Sequence, residues 1–158
     1  MHYRSFSLCF LLLASPLVQA NQPVHAVQNH VSGSRNLSVL SLAGDTLFVT
    51  DKAVLSSQGR QALDAALKKN PTLIQMPMTI SGHADRMGTT QYNRDLSFRR
   101  AEAVRTYFKA KGHFERIEVQ GLGESKPLVS CSGVHDKARL IRCLAPNRRV
   151  EIERMYGE

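Results

Sequence analysis

The sequence predicts an α/β fold in which helices cover a β-sheet. Segments rich in alternating apolar residues take turns with segments whose apolar residues recur at helical spacing, in the order β, α, β, α, β, α, β. The chain has 158 residues, which is long enough for one domain and short for two. No internal repeat or low-complexity tract interrupts this order.

The first half of the chain predicts strand, helix and strand. SVLSLAGDTLFV has β-branched residues and leucines around a Gly44-Asp45 turn, which is typical of one or two strands. In LSSQGRQALDAALKKNP, a serine cap precedes leucine and alanine at helical spacing, and the helix ends before Pro71. LIQMPMTISG alternates and predicts a strand ending at Gly82, within which Pro77 favours an edge because it cannot donate to a ladder.

The second half predicts helix, strand, helix and strand. The longest helical pattern covers Thr90 to Lys111, and RIEVQG follows as a short strand. ESKPLVSCSGVHD is a predicted loop, and KARLIRCL is a predicted short helix before Pro146. RRVEIERM alternates Val150 and Ile152 with glutamates, which predicts the last strand.

The first 20 residues predict a secretory signal peptide. A weakly basic start precedes an apolar run over 6–14 that is too short to span a bilayer, and Ala20 is a small residue at which a signal peptidase can cut. Cys9 lies inside this segment without a small-residue lipobox before it, so we expect no lipid anchor.

These features divide the chain into three parts: a signal peptide at 1–20, a polar flexible leader at 21–36, and one domain at 37–158. No other segment approaches the roughly 20 apolar residues of a membrane-spanning helix. We therefore expect an exported, soluble mature protein without a transmembrane segment.

Two cysteines remain after signal removal, Cys131 and Cys143, and a lone pair in an exported protein predicts one disulfide. A zinc site is the alternative, but His135 is the only other candidate ligand nearby. We expect no metal and no cofactor.

The formal net charge of +8 predicts attraction to anionic polymers, including those of the cell wall, lipopolysaccharide and nucleic acid. Charge alone does not choose among them. The chain has no tryptophan and no stacked aromatic platform, and it is predicted to be exported, so nucleic acid is not an expected partner.

An arginine lies on the apolar stripe of the longest predicted helix. Leu96, Arg100, Val104 and Phe108 follow one another at four-residue spacing, which places Arg100 against the core. A buried guanidinium needs a carboxylate and further acceptors, because losing its partner costs about 3–5 kcal/mol.

Asp85 is the predicted partner of Arg100. It lies in the turn between the preceding strand and this helix, where ligands often bind in α/β units. Together the two side chains fit a zwitterion, since the carboxylate takes an ammonium and the arginine fork takes a carboxylate. The alternative is a structural salt bridge between Asp85 and Arg100 with no ligand.

Three motifs, GHADRMGTTQYNRDLSFRRAEAV, QGLGESKPL and CLAPNRRVEIE, resemble in order and spacing the OmpA-like C-terminal domain of outer-membrane proteins and peptidoglycan-associated lipoproteins of Gram-negative bacteria. The resemblance runs from about Leu40 to Arg154. It implies a βαβαβ-type sandwich with a mixed sheet covered by helices. The pair Cys131 and Cys143 also fits the subgroup whose loop carries a disulfide.

The resemblance further implies non-covalent binding of peptidoglycan through the diaminopimelate residue of the stem peptide. By motif, Asp85 and Arg100 correspond to the aspartate and the second arginine that hold this residue in the family. Asn93, Leu96 and Asp51 are further candidate ligand contacts, although loop-wall residues are as often scaffolding.

Some features depart from the family pattern or have two interpretations. Ala84 replaces the usual threonine, and neither a β-barrel nor a lipid anchor is expected before the domain. Arg148 and Arg149 match the family, and pairing with acidic residues at a strand start is their alternative role.

His83, Asp85 and Ser97 are residue types that also occur in hydrolase and metal sites. No third ligand is evident, and a serine in a helical turn is more often a cap than a nucleophile. No catalytic residue is assigned, and the chain is not expected to be an enzyme.

The functional hypothesis is a periplasmic peptidoglycan-binding domain that supports cell-envelope integrity, close to the cell wall or outer membrane. A periplasmic adaptor that mainly binds an outer-membrane protein is the alternative.

Overall fold

The structure, a computed structural model, describes residues 39–112 and 116–155. The predicted signal peptide and flexible leader lie outside the described residues. Within them, the strands and α-helices follow in the order β1 (Leu40–Ala43), α1 (Gly44–Leu47), α2 (Ser57–Lys69), β2 (Met78–Gly82), α3 (Thr90–Lys111), β3 (Ile117–Gly121), α4 (Lys137–Cys143) and β4 (Arg149–Arg154). Short 3₁₀ turns at Pro71–Gln75 and Ala145–Asn147 precede β2 and β4.

The four strands form one mixed sheet in the order β1-β4-β2-β3. β2 pairs with β3 in parallel, whereas β4 is antiparallel to both of its neighbours, β1 and β2. Strands β1, β2 and β3 therefore run in one direction and β4 runs in the other. This arrangement confirms the predicted α/β class with a mixed sheet.

The core lies on one face of the sheet, because side chains alternate between the two faces of each strand. Ile80 of β2 and Ile152 of β4 are opposite each other and fully buried beneath Leu63 of α2 and Phe108 of α3. Each such side chain stabilises the fold by about 1.5–3 kcal/mol through burial. The other face carries polar residues, namely Thr79, Ser81, Glu118, Gln120, Glu151 and Glu153.

Helix α3 packs very closely on the sheet, and this positions the candidate site. It begins after Thr89, whose side chain accepts a hydrogen bond from the Tyr92 N–H at 3.2 Å. Gly82 lies directly under it, so that a Cβ on Gly82 would be only 2.0 Å from the Ser97 carbonyl oxygen. The absent side chain lets the helix backbone lie directly on β2, three residues before Arg100.

The structure differs from the predicted strands at two places. The second strand allowed in SVLSLAGDTLFV is the single helical turn α1, and beyond it only Phe48 and Leu55 form an isolated bridge. The strand predicted from Leu73 begins at Met78 instead. Proline has no N–H to donate, and the strand starts directly after Pro77, whose carbonyl accepts the Met155 N–H at 2.8 Å.

Cys131 and Cys143 form a disulfide, as predicted. The bridge connects the loop after β3 to the last residue of α4. Of the helices described, none is both long and apolar enough to cross a bilayer.

Candidate functional site

The candidate site lies at one end of the sheet. The C-terminal ends of β1 and β2 meet the start of β4 there, since Ala43 pairs with Arg149 and Gly82 pairs with Val150. Beyond β2 the chain stays bonded to β4, because the His83 N–H donates to the Arg149 carbonyl at 2.9 Å. Polar groups that follow these strand ends are thereby brought together, as is common for ligand sites in α/β proteins.

Asp85 is held in place by three hydrogen bonds. Its Oδ1 accepts the Met87 N–H at 2.8 Å, and its Oδ2 accepts from Nη1 of Arg148 at 2.7 Å. Its backbone carbonyl accepts from Nδ2 of Asn93 at 3.0 Å. The side chain is only 9% exposed. Asp85 is thus a nearly buried, fixed carboxylate.

Arg148 joins two carboxylates. Its Nε and Nη2 donate to the two oxygens of Asp45 at 2.8 and 2.6 Å, and its Nη1 donates to both Asp85 and the Ile141 carbonyl, the latter at 3.1 Å. The hydrogen bonds to Asp45, and after them those to Asp85, raise the pKa of Arg148 above its usual value despite its burial. Arg148 therefore stays charged at any physiological pH.

Arg100 is buried, as its helical position predicts, with 6% of its surface exposed. Its Nε donates to the Lys52 carbonyl at 3.2 Å, and its Cζ lies 5.2 Å from the centre of the Phe48 ring. Burial lowers the pKa of Arg100, whereas the nearby charges of Asp45 and Asp51 act in the opposite direction. Nη1 and Nη2 have no hydrogen-bond partner among the described residues.

A structural salt bridge between Asp85 and Arg100, the alternative to a shared ligand, is not formed. Asp85 pairs with Arg148, which reaches it from the start of β4, while Arg100 stacks on Phe48 on the α3 side. The alternative role given to Arg148, pairing with acidic residues at a strand start, is confirmed. Sequence reasoning missed Asp45 as a member of this cluster, although it lies two residues after the end of β1 and hence at the same sheet end.

The other candidate ligand contacts differ in their surroundings. Asn93 is buried, and its Nδ2 donates to Glu124 as well as to Asp85, so it braces the loop after β2. Leu96 is buried one helical turn before Arg100. Asp51 is exposed and has a left-handed backbone, with φ of 56°, in the turn that supplies the Lys52 carbonyl to Arg100.

His83 and Ser97 have structural partners. Nε2 of His83 lies 3.2 Å from Oε2 of Glu151, and Nε of Arg149 donates to Oε1 of the same carboxylate at 2.8 Å. The His83 contact, followed by Arg149, lowers the pKa of Glu151 to about 2. Oγ of Ser97 donates to the Arg94 carbonyl at 2.8 Å and accepts the Gly123 N–H at 2.9 Å, which joins α3 to the loop after β3. Among the described residues, His, Cys, Asp and Glu form no group of three that fits a metal ion.

An open cleft of about 400 Å³ adjoins the site. Ala84 and Arg86, the neighbours of Asp85, line it together with Glu124, the residue that binds Asn93. The other lining residues belong to the loop after β3 and to the turn before β4, namely Pro127, Val129, Ser130, Ser132 and Asn147.

Comparisons with known proteins agree with this architecture. The sequence model of the OmpA family matches residues 47–140. Outer membrane protein A of Citrobacter freundii is 38% identical over 145 residues, which cover 89% of this chain and 58% of that protein. The chain thus spans little more than half the length of that relative.

Two solved structures share the fold at recognisable sequence identity. The peptidoglycan-associated lipoprotein from Burkholderia pseudomallei is 28% identical, with a TM-score of 0.55 over 73% of this chain and 89% of that chain. The cell wall anchor of the T6SS from Pseudomonas aeruginosa is 26% identical, with a TM-score of 0.61 over 84% of this chain and 87% of that chain. With the family model covering more than half of the residues and the predicted motifs in place, the chain belongs to the OmpA family.

Proposed function

We propose that this chain is a non-catalytic peptidoglycan-binding module of the periplasm that holds the diaminopimelate residue of the stem peptide between Asp85 and Arg100. The observation that carries the proposal is that Arg100 is buried but has an incomplete set of hydrogen bonds among the described residues. Its guanidinium is buried and fixed by Lys52 and Phe48, yet two of its nitrogens have no partner among the described residues. A buried cation in this state is suited to receive a carboxylate from a ligand.

Asp85 supplies the complementary group for the ligand ammonium. A carboxylate has about four lone-pair directions, and the Met87 N–H and Arg148 occupy two of them. The remaining directions are available to an ammonium, while Arg100 takes the carboxylate of the same amino-acid end. A zwitterionic tip of a peptide side chain, such as that of diaminopimelate, carries both groups.

The names of two related proteins also support peptidoglycan as the ligand. One solved relative is a peptidoglycan-associated lipoprotein and another is a cell wall anchor. Together with the predicted signal peptide at 1–20 and leader at 21–36, these names support a role in the cell envelope, where attachment of the domain to the wall would contribute to envelope integrity.

Co-sedimentation of the mature protein with purified sacculi tests the proposal. Asp85→Asn and Arg100→Met should each weaken retention by about tenfold or more, because each removes a charge-assisted hydrogen bond to the ligand. Arg99→Met is the matched control, since Arg99 is exposed on the same helix and should bind like the wild type. Free diaminopimelate should compete for binding, whereas moderate salt should not release the protein as it would a simple polyanion binder.

Folded Asp85→Asn and Arg100→Met variants that sediment like the wild type would contradict the site. Retention by outer-membrane protein but not by sacculi would favour the adaptor alternative instead.

A further inference from the structure

Arg148 and Asp45 form an ion pair that the proposed roles of Asp85 and Arg100 do not use. We propose that Asp45 and Arg148 act as a positioning pair for the Asp85 carboxylate: Asp45 fixes the Arg148 fork, and Arg148 fixes Asp85 in the orientation that receives a ligand ammonium. This inference rests on the proposed function and names two further residues on which affinity depends.

The fork of Arg148 is fully engaged. Nε and Nη2 bind both oxygens of Asp45 side by side, which is the bidentate geometry that only arginine provides. This contact leaves Nη1 for Asp85 and for the Ile141 carbonyl of α4. A rotation of the guanidinium would break several of these bonds at once, so Nη1 is held in a fixed direction.

The orientation of Asp85 follows from that of Arg148. Oδ2 binds Arg148 and Oδ1 binds the Met87 N–H, so each oxygen is anchored once and the carboxylate plane cannot turn freely. A ligand ammonium then meets a group that is already ordered. Binding to an ordered group avoids the entropy cost of fixing it in the complex.

Asp45 has a second effect, on charge. The positive charge of Arg148 acts against the protonated state of Arg100, so the two cations repel. By binding Arg148 through both of its oxygens, Asp45 offsets this positive charge. Without Asp45, the Arg148 fork is free to bind both oxygens of Asp85 and to compete with the ligand ammonium. Loss of Asp45 should therefore weaken binding only while Arg148 is present.

A mutant cycle on the mature protein, titrated with a diaminopimelate-containing muropeptide in a calorimeter, tests these steps. Arg148→Gln should bind about tenfold more weakly, and Asp45→Asn should bind several-fold more weakly. The double variant should match Arg148→Gln alone. Arg148→Lys should not restore affinity, because a point charge cannot hold two carboxylates. Arg142→Gln, an exposed residue of α4, is the matched control.

Amide hydrogen exchange gives a readout that needs no ligand. The Met87 N–H should exchange faster in Arg148→Gln than in the wild type, because its acceptor is no longer oriented. The Met78 N–H, which donates to the Arg116 carbonyl at the opposite end of the sheet, should be unchanged. A variant that merely destabilises the whole fold would accelerate both amides.

The outcomes separate the two proposals. If the wild type binds and Asp85→Asn does not, but Arg148→Gln binds as well as or better than the wild type, the positioning pair is refuted and the proposed function stands. If the wild type does not bind the muropeptide, the proposed function fails, and Met87 exchange still decides whether Arg148 orients Asp85. Should Arg148→Gln not fold, Asp45→Asn carries both measurements, and unchanged affinity and exchange in that variant would overturn the inference.

Discussion

The guanidinium of Arg100 lies over the ring of Phe48, with 5.2 Å between Cζ and the ring centre. Phe48 is 4% exposed and belongs to the main hydrophobic core. The same side chain therefore stabilises the fold and supports the cation of the candidate site.

Phe48→Leu should lower both stability and affinity. The loss of ring volume and of the cation–π contact should cost about 1–2 kcal/mol in the free energy of unfolding. Affinity for diaminopimelate should fall several-fold, because Arg100 loses its support. Urea unfolding and calorimetric titration measure the two effects.

Phe98→Leu is the control. At a site that is 45% exposed, it should change the unfolding free energy by no more than about 0.5 kcal/mol. Equal effects of the two substitutions would contradict the role of Phe48.

Glu151 should make the domain sensitive to acid. The pKa of its carboxyl is lowered from 4.5 to about 2, first by the contact with His83 and then by Arg149. The unfolded chain therefore takes up a proton at higher pH than the folded chain, so this stabilisation is complete above about pH 4.5 and is lost as the pH falls towards 2.

Glu151→Gln tests this linkage. It should lower the unfolding free energy at pH 7 by about 2 kcal/mol, allowing for solvent screening of a partly exposed carboxylate. Between pH 5 and pH 3 it should lose less further stability than the wild type. Urea titrations at pH 7, 5 and 3 give the comparison, with Glu118→Gln on β3 as the control. Parallel pH profiles for wild type and Glu151→Gln would rule out the linkage.

The disulfide between Cys131 and Cys143 should be fully formed in the purified protein. Thiol titration of the denatured, unreduced mature chain should detect no free thiol, and two free thiols would refute the pairing. The double Cys→Ser variant should unfold with a free energy lower by about 3 kcal/mol, as expected for closure of a short loop. Because α4 presents the Ile141 carbonyl to Arg148, ligand affinity should fall as well.

The backbone at Asp51 should limit which residues fit there. Its φ of 56° lies in the left-handed region, which glycine and asparagine tolerate better than alanine. Asp51→Ala should reduce the unfolding free energy by about 1 kcal/mol, whereas Asp51→Gly and Asp51→Asn should be close to neutral. Chemical denaturation of the three variants provides the measurement. If Asp51→Ala is as stable as Asp51→Gly, the backbone at this position is not strained.

Much of the fold is predictable from the sequence, because periodicity and end signals agree. Helix α3 has the predicted bounds Thr90–Lys111, since its apolar stripe is long and Gly112 follows it. The burial of Arg100 follows from the same stripe. The single turn α1 is too short for periodicity to distinguish it from a strand.

The ion pairs of the site are not predictable in this way. Arg148 is 63 residues from Asp85 and 103 residues from Asp45 along the chain, so no local spacing connects them. Asp85 and Arg100 are close in sequence and chemically complementary, which favours a direct ion pair that the structure does not contain. The register of β4 between β1 and β2 determines which arginine pairs with Asp85, because it brings Arg148 to the ends of both strands.

The antiparallel pairing of β1 with β4 also determines how the domain would carry a load. Leu40 lies beside Ile152, so the chain enters the sheet at the end remote from Asp85. Tension between a tether joined before Leu40 and a polymer gripped at the opposite end would run along the strands. The backbone hydrogen bonds between β1 and β4 would then be loaded in shear and would bear the force together, instead of breaking one after another.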